Sequence, residues 1–306
     1  MPDCEARKRL HVGGQAVIEG VMMRSPAGIA TAVRSPDGRI IVRTEPFVSL
    51  TRRSRLFGLP VIRGAVALVE TMVVAVKALT FSVEESGDGE KEKKKPSRTG
   101  LAFQMALTLA GALVLGLALF FYLPLVITDA LGVQDGILFN LVDGLFRLLF
   151  IFLYIFAITR WSEMRRIFEY HGAEHKAIAD FETGEEPTPG SAASRSRLHP
   201  RCSTSFLLIV VLVSVVVFIF LGRPHGTGDR LLRLALVPLI AGISYEILKA
   251  SSRPAFRRWF GFVFYPGLMM QRMTTREPSP DQLEVAIAAL SACLADNLLD
   301  SRRVLD

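Results

Sequence analysis

The sequence predicts a mainly α-helical, polytopic membrane protein with about four transmembrane helices and a small N-terminal soluble region that contains a β-hairpin. Half of the 306 residues are hydrophobic, and the mean hydropathy is positive. Several runs without charge approach or exceed the roughly 20 residues that a helix needs to cross a bilayer. The three cysteines are an odd number and lie far apart, so the sequence implies no disulfide framework.

The N-terminal region, residues 1–83, is expected to be cytoplasmic and to hold the β-hairpin. Asp37 and Gly38 separate two runs that are rich in β-branched residues, 29–34 and 39–44. An Asp-Gly pair between two such runs is a strong signal for a hairpin turn. We therefore expect two antiparallel strands here.

A long apolar helix is expected over residues 60–81, at the end of this region. Its charged residues Arg63, Glu70 and Lys77 recur every seven positions, which places them along one narrow stripe of the helix. Ionisable groups near the middle of a bilayer are costly unless they are paired. The stripe therefore favours an amphipathic helix that is interfacial or packed on the protein, and a transmembrane helix is the alternative.

The membrane domain is expected over residues 100–250, after a charged linker at 84–99 that has too little apolar surface to form a core. Four apolar runs of bilayer length predict its helices: 101–128, 137–159, 203–222 and 231–250. Within the second run, Asp143 and Arg147 are four residues apart, so each can neutralise the other inside the membrane. A loop at 160–202 connects the second helix to the third.

The distribution of basic residues predicts the orientation of these helices. Lys and Arg are numerous in the linker at 84–99 and in the loop at 160–202. The charged residues of the loop between the first two helices are all acidic. Basic loops stay in the cytoplasm, so both termini and the loop at 160–202 are expected there. The net charge of +7 suits soluble parts that lie against an anionic membrane surface. The lipid bilayer is thus the expected partner, and nucleic acid is not, because the Arg residues are dispersed.

The C-terminal region, residues 251–306, is expected to begin at the membrane surface. The segment 253–267 is aromatic and basic, and its apolar run is too short to span a bilayer, which predicts an interfacial element. Pro and Ser residues at 278–281 then supply the start signal for a cytoplasmic helix over 282–299.

The stretch His171-Gly-Ala-Glu174-His175 indicates a metal-binding or catalytic site. In a helix, positions i, i+3 and i+4 share one face, so the two imidazoles and the carboxylate would converge. H-x-x-E-H is the order found in inverted zincins, where both His bind zinc and the Glu activates the attacking water. An amphipathic helix with a few exposed polar residues would produce the same pattern, and this is the alternative.

A second pair of candidate ligands follows in His199-Pro-Arg-Cys202. Two residues between a His and a Cys allow one turn of chain to supply two ligands to a tetrahedral metal. With His171 and His175 they make four ligands of a suitable type within about thirty residues. The alternative is that Cys202 is a small buried residue and His199 an ordinary loop residue.

Five stretches of the sequence carry a resemblance to a known family: 11–24, 171–175, 198–206, 244–246 and 266–278. Over nearly its full length the chain resembles the YqhQ family of bacterial multi-pass membrane proteins, a family of unknown function labelled a predicted metal-dependent enzyme. The resemblance implies a multi-span fold in the bacterial cytoplasmic (inner) membrane and a metal site, and it supplies no substrate. Ser203 stands where the family usually has Gly after the Cys, which leaves the backbone at Cys202 less free.

The first of two functional hypotheses is a zinc-dependent hydrolase at the cytoplasmic face of the membrane. His171 and His175 would bind the ion, and Glu174 would take a proton from the attacking water. The candidates for a third ligand are His199, Cys202 and Glu246. Glu246 is included because inverted zincins resemble this chain in having a downstream helical Glu, which serves them as third ligand.

The second hypothesis is a structural zinc site in a protein without catalytic activity. His171, His175, His199 and Cys202 would then close a four-coordinate site, and the protein would be a scaffold or a biogenesis factor for other membrane proteins. The number of ligands separates the two hypotheses, because catalysis requires an open coordination position.

Overall fold

The computed structural model of the chain describes residues 10, 12–26, 28–87, 98–199, 202–251, 265–295 and 302–305. Two expectations fall mainly outside these ranges. Most of the charged linker is not described, and neither is the larger part of the interfacial segment at 253–267.

Four strands of the N-terminal region and one strand from residues 302–305 form an antiparallel sheet in the order β1-β2-β3-β4-β5. The strands are β1 (Gly13–Val17), β2 (Gly20–Arg24), β3 (Ile29–Arg34), β4 (Ile40–Glu45) and β5 (Arg302–Leu305). β3 and β4 form the predicted hairpin, which is confirmed, and Gly38 has the positive φ of 88° that suits Gly in the turn. β1 and β2 form a further hairpin that was not predicted, and β5 pairs with β4.

The rest of the described chain is mainly helical, as predicted. The helices are α1 (Leu50–Arg53), α2 (Ile62–Glu85), α3 (Arg98–Leu117), α4 (Leu123–Ala130), α5 (Gly136–Ile158), α6 (Ser162–Phe181), α7 (Pro189–Ala193), α8 (Ser203–Leu221), α9 (Thr227–Ala235), α10 (Val237–Ser251), α11 (265–274) and α12 (Pro280–Leu294). A π-helical turn, Ala118–Tyr122, joins α3 to α4 without a break. This turn lies just before Pro124, which has no N–H to donate along the helix.

Within the described residues, four helical stretches are long and apolar enough to cross a membrane: Ile62–Glu85, Ala110–Ala130, Gly136–Ile158 and Thr227–Ala250. The last three coincide with predicted transmembrane helices. The run predicted at 203–222 forms α8, whose apolar stretch is shorter than the other four. The helix at Ile62–Glu85 is α2, and its packing on the other elements distinguishes a transmembrane position from an interfacial one.

The sheet is covered on both faces. Side chains alternate between the faces of a strand, so Met23 packs on α6 beside Tyr170 while Met22 packs on the opposite side. The first face also receives α12. The second face packs on Val74 and Phe81 of α2. The C-terminal half of α2 is thus buried against a sheet, which favours the packed, interfacial arrangement over a transmembrane one.

The N-terminal half of α2 packs closely on α10. A Cβ atom at Gly64 would lie 2.8 Å from Cα of Gly242, so the two helices meet at their backbones. Arg63 and Glu246 form an ion pair across the same contact, with two hydrogen bonds from the guanidinium to the carboxylate. Arg63 of α2 and Glu246 of α10 therefore neutralise each other, which lowers the cost of placing either charge near the membrane.

Charged residues inside the helical domain also have partners. Arg147 lies 2.8 Å from Asp143, as predicted, and its guanidinium lies 4.6 Å from the ring centroid of Phe121. Arg233 is 1% exposed and donates a hydrogen bond of 2.8 Å to Asn140. Its burial differs from the position at the membrane surface that a lone Arg near a helix end would favour.

The predicted C-terminal helix is observed as α12, which begins at a capping box. The side chain of Ser279 accepts a hydrogen bond from the backbone N–H of Gln282, and the Gln282 side chain accepts one in return from the Ser279 N–H. Its predicted last residues, 296–299, lie outside the described ranges.

Candidate metal centre

One face of α6 carries the H-x-x-E-H residues. His171, Glu174 and His175 all lie within this helix, at the i, i+3 and i+4 positions that share a face. Tyr170 and Ala173 of the same helix are fully buried against the sheet. This packing fixes the rotation of α6 about its axis and directs the motif toward the chain segments before α8 and after α11.

Cys202 reaches this face from the residue before α8. Its Sγ lies 3.3 Å from Nε2 of His171, and the ligand atoms of His171, His175 and Cys202 all lie within 4.8 Å of one another. Cys202 and His175 are buried, whereas His171 is partly exposed. We call these three side chains the His-Cys cluster, and their two imidazoles and thiol are ligand types that zinc binds.

Backbone carbonyls orient both imidazoles of the cluster. Nδ1 of His171 lies 2.8 Å from the carbonyl oxygen of Thr274, and Nδ1 of His175 lies 2.6 Å from that of Arg197. A carbonyl can only accept, so each Nδ1 donates and the lone pair of a neutral ring is left on Nε2. A His that ligates a metal typically donates its other ring N–H in this way.

The segments that supply these carbonyls are tied to each other and to α6. Residues 275–279, which we call the strap, cross α6, and the Arg276 N–H donates to a backbone carbonyl of that helix at 2.9 Å. Arg197 donates from Nη1 to the carbonyl of Thr275 at 2.6 Å. Gly172 permits the crossing, because a Cβ there would lie 2.0 Å from the Arg276 carbonyl oxygen.

The side-chain amide of Gln271 holds the backbone of His199, to which Cys202 is hydrogen-bonded. It accepts a hydrogen bond of 2.9 Å from the backbone N–H of His199 and donates one of 2.8 Å to the His199 carbonyl. The same carbonyl accepts from the N–H of Cys202 at 3.3 Å. Gln271 is fully buried, so the backbone of His199 is held from the protein interior.

His199 lies beside the cluster and is not one of its three members. Its Nε2 is 3.4 Å from a carboxylate oxygen of Glu182, and its ring centroid is 5.9 Å from that of His175. Burial lowers the pKa of His199, and the charge of Glu174 opposes this shift. The predicted four-ligand set is therefore divided into a group of three and a neighbouring imidazole.

Glu174 lies in a closed environment next to the cluster. It is 5% exposed, and it accepts a hydrogen bond from the backbone N–H of Gly14 in β1. Burial raises the pKa of its carboxyl, and the charges of His171 and His199 oppose the shift. A Cβ on Gly14 would lie 2.8 Å from Cγ of Glu174, so glycine lets this strand approach the carboxyl. A carboxyl with a raised pKa beside imidazoles is typical of acid-base groups in active sites.

The donor set of the cluster fits zinc. Imidazole nitrogen and thiolate sulfur are its preferred ligands, and three protein ligands leave one position of a tetrahedral ion open. Burial lowers the pKa of His175, which keeps its ring neutral and able to act as a ligand. Ca²⁺ and Mg²⁺ prefer oxygen ligands, which the three-residue cluster does not provide.

Glu246, a predicted candidate for the third ligand, is used elsewhere. Its carboxylate accepts hydrogen bonds from Arg63, one of them 2.6 Å long. This pairing results from the close packing of α2 on α10, which the sequence did not indicate. Among the three candidates for a third ligand, Cys202 is the one that lies with His171 and His175.

Several residues that organise the site were not identified from the sequence: Gly14, Arg197, Gln271 and Thr274. Arg197 and Thr274 orient the imidazoles through backbone carbonyls, which leave no signature in a sequence. Gly14 and Gln271 lie in two of the stretches that carry the family resemblance, 11–24 and 266–278. Membership of those stretches is the signal that could have found them.

Comparisons with known proteins give a family and no activity. The family described as "Protein of unknown function (DUF1385)" matches residues 59–296. The chain is 31% identical over 293 residues to a protein of Bacillus subtilis (strain 168) named "Uncharacterized protein YqhQ", and the alignment covers 92% of each chain. No solved structure matches the chain.

Proposed function

Since the chain belongs to the DUF1385 family, whose description names no activity, we propose a function from the site itself: a zinc-dependent hydrolase of the cytoplasmic membrane. His171, His175 and Cys202 would hold the zinc, and Glu174 would be the general base. The observation that carries the proposal is the His-Cys cluster, whose three ligand atoms lie within 4.8 Å of one another. Three protein ligands leave open the position that catalysis requires.

The hydrogen bonds of the imidazoles support this proposal. Both Nδ1 atoms are engaged with carbonyls, so both rings are set in the tautomer and rotation that a metal needs. An ordinary polar cluster has no requirement for this arrangement. Nε2 of His171 already lies 3.3 Å from the sulfur of Cys202.

Glu174 would transfer the protons of the reaction. Its carboxylate takes a proton from the attacking water and returns it to the leaving group. Burial raises the pKa of Glu174, which brings it nearer to neutral pH and suits transfer in both directions. The Gly14 N–H holds the carboxyl in place. A zinc ion at the cluster would act as a Lewis acid toward the oxygen of the bond that is broken.

Metal analysis of the purified full-length protein tests the proposal. Wild type, purified without chelator, should contain about one zinc per chain, and His171→Ala and Cys202→Ser should each lose it, because each removes one of only three protein ligands. His225→Ala and Cys293→Ser are matched controls, since His225 is exposed and Cys293 is buried in the core formed with α12. The proposal is wrong if the wild type contains no stoichiometric metal, or if the controls lose as much metal as His171→Ala and Cys202→Ser.

Glu174→Gln separates the base from the ligands. The amide keeps the size of the side chain and loses its ability to accept a proton, so the variant should retain zinc and thermal stability. General acid-base catalysis contributes about 10²–10⁴-fold, and hydrolysis of ester, amide and phosphodiester test substrates should fall by that order. If Glu174→Gln loses zinc instead, its assignment as base is wrong.

The structural-zinc alternative is favoured by one observation. The ring of His199 is buried and its centroid is 5.9 Å from that of His175, so rotation of the side chain would bring a fourth ligand toward the cluster. The protein would then be a scaffold or a biogenesis factor for other membrane proteins. His199→Ala distinguishes the two functions: zinc is retained by a three-ligand catalytic site, whereas a closed site loses zinc and thermal stability together.

The proposal includes a location in the bacterial cytoplasmic membrane, with both termini and the cluster in the cytoplasm. Three helical stretches of sufficient length and hydropathy, Ala110–Ala130, Gly136–Ile158 and Thr227–Ala250, support insertion together with the apolar helix α8. The excess of Lys and Arg in the loops at 84–99 and 160–202 supports the orientation. Substrate would then reach the cluster from the cytoplasmic side of the bilayer.

A further inference from the structure

Two neighbouring clefts open between the sheet and α2. One, of about 550 Å³, lies between β3, β4 and α2, and we call it the apolar cleft. The other, of about 990 Å³, lies between β1, β2, α2 and the end of α10, and we call it the basic cleft. Phe47 and Val74 line both. Both volumes fall in the range of small-molecule sites, roughly 300–1,000 Å³.

The apolar cleft is lined mainly by aliphatic and aromatic side chains, among them Ile29, Val66, Val69, Val73, Ala78 and Phe81. Val69 and Val73 are 61% and 52% exposed, so the cleft opens toward the outer side of α2. Leu68 and Met72 are exposed on the same helix. A run of exposed apolar side chains of this kind is typical of a surface that contacts membrane or protein.

The basic cleft is lined by three cationic side chains, Arg24, Arg52 and Lys249, and no Asp or Glu is among its described lining residues. Arg24 lies 3.8 Å from Glu70, whose carboxylate also accepts a hydrogen bond of 2.7 Å from Ser49. One of the three positive charges is thus compensated by Glu70. Lys249 also interacts with the charge of Glu246, which is paired with Arg63. Arg24, Arg52, Lys249 and Arg63 together outnumber the two carboxylates, and this excess of positive charge favours an anionic ligand.

The position of Arg24 marks the boundary between the two clefts. Its guanidinium lies 4.2 Å from the ring centroid of Phe47, which lines both. Burial lowers the pKa of Arg24, and the nearby charge of Arg52 acts in the same direction, against Glu70. An anion bound next to Arg24 and Arg52 would relieve their mutual repulsion.

We propose that the two clefts together bind one anionic phospholipid of the membrane, with its phosphate at Arg24, Arg52 and Lys249 and one acyl chain in the apolar cleft. A free phosphate would use only the basic cleft, and a neutral hydrocarbon only the apolar one. A positive cleft and an apolar cleft that share the side chains of Phe47 and Val74 are together complementary to a molecule with both parts. Because the apolar end opens on the exposed side of α2, the lipid can enter from the bilayer surface.

Gly14 connects this site with the candidate metal centre. It lines the basic cleft, and its N–H donates to Glu174, so the bound headgroup would lie across β1 from that carboxyl. That the lipid is a substrate rests on the proposed function. That it binds does not, because none of the residues lining either cleft belongs to the His-Cys cluster.

Native mass spectrometry of the full-length protein in nonionic detergent tests the binding. Dioleoyl phosphatidylglycerol should bind about tenfold or more tightly than dioleoyl phosphatidylcholine, which has the same chains and no net charge. Arg52→Gln/Lys249→Gln should weaken phosphatidylglycerol binding by about tenfold or more. Arg53→Gln/Arg55→Gln is the matched control, because it removes the same charge from exposed residues nearby that do not line the cleft.

Two further comparisons test the acyl-chain end. Val69→Trp places a large ring at the apolar cleft and should reduce binding, whereas Leu68→Trp, outside its lining, should not. The proposal is overturned if the two lipids bind equally, if the control pair weakens binding as much as the cleft pair, if Val69→Trp binds as wild type, or if millimolar inorganic phosphate displaces the lipid completely. Zinc content of the Arg52→Gln/Lys249→Gln variant should stay at the wild-type level, so either proposal can fail without the other.

Discussion

The absence of a side chain at Gly172 decides whether the strap can reach α6. A methyl group there would lie 2.0 Å from the carbonyl oxygen of Arg276, well inside van der Waals contact. Gly172→Ala should displace the strap and with it the Thr274 carbonyl that orients His171. We expect a loss of about 1–3 kcal/mol in stability, as for other overpacked positions, and weaker metal retention. Thermal unfolding and metal content measure the two effects.

Gly190→Ala is the control for this substitution. Gly190 lies in α7, is exposed, and has no atom nearer than 4.0 Å to the position of a Cβ. Because alanine favours a helix over glycine, this variant should be as stable as wild type or more so. A Gly172→Ala protein with wild-type stability and metal content would contradict the close contact.

Residue spacing predicted the helix face that carries the H-x-x-E-H residues, but it could not predict the groups that orient the imidazoles or the third ligand. The i, i+3, i+4 pattern places His171, Glu174 and His175 on one helix face whatever the tertiary structure. The acceptors that orient the imidazoles are backbone carbonyls, 103 residues from His171 and 22 residues from His175. Any residue type provides a carbonyl, so only the fold can identify which one is used. The choice of Cys202 over Glu246 likewise depends on helix packing.

At the scale of the elements, the contact between α2 and α10 is set by two glycines. A Cβ at Gly242 would lie 2.3 Å from the carbonyl oxygen of Val61. Gly242→Leu should therefore separate the two helices, break the ion pair between Arg63 and Glu246, and lower stability by about 1–3 kcal/mol or more. The midpoint of thermal unfolding in detergent measures the loss.

Gly111→Leu provides the comparison for a glycine without such a contact. Gly111 lies in α3 and has no atom within 4 Å of a Cβ position. Its unfolding midpoint should match that of wild type, since an exposed apolar side chain on α3 can contact lipid. Equal midpoints for Gly242→Leu and wild type would show that α2 and α10 are not held at their backbones.

Turn chemistry explains which hairpin the sequence predicted. Asp37 and Gly38 predict the turn between β3 and β4. The two-residue turn between β1 and β2 instead has Glu19 in the left-handed region, with a φ of 52°. A non-glycine residue there is uncommon and gives no turn signal. Glu19 is held by its ion pair with Arg166 and lies 3.3 Å from the hydroxyl of Tyr170. Contacts of Glu19 with α6 thus stabilise a left-handed backbone conformation that usually requires glycine.

At the scale of the whole molecule, the packing of the sheet on α6 and α12 constrains the number of membrane crossings. Elements that share one core lie on the same side of a bilayer, so the chain must cross an even number of times between them. In the proposed membrane location, α3 with α4, followed by α5, would give two crossings before α6, and a third by α2 would separate the sheet from α6. Between α6 and α12, the same proposal has two crossings, one by α8 and one by α9 with α10. Length and hydropathy alone do not exclude a crossing by α2, because Ile62–Glu85 is long and apolar enough to span a membrane.

Cysteine accessibility in intact cells tests this topology. Asp37→Cys and Glu186→Cys should be protected from a membrane-impermeant thiol reagent added outside, whereas Gln134→Cys, between the first two crossings, should react. All three positions are exposed, so burial does not account for protection. Wild type reports the background from the native cysteines. Reaction at both Asp37→Cys and Gln134→Cys, with Glu186→Cys protected, would mean that α2 crosses the bilayer.

The strap has a consequence for how the protein is made. His171 leaves the ribosome 103 residues before Thr274, and the strap and α12 follow only after the last membrane helices have been synthesised. Until then α6 lacks the carbonyl that orients His171, the contact at Gly172 and the helix that covers the same face of the sheet. A chain truncated before the strap would insert its membrane helices and still present an unfinished site. Completion of the site is therefore among the last steps in the synthesis of the chain.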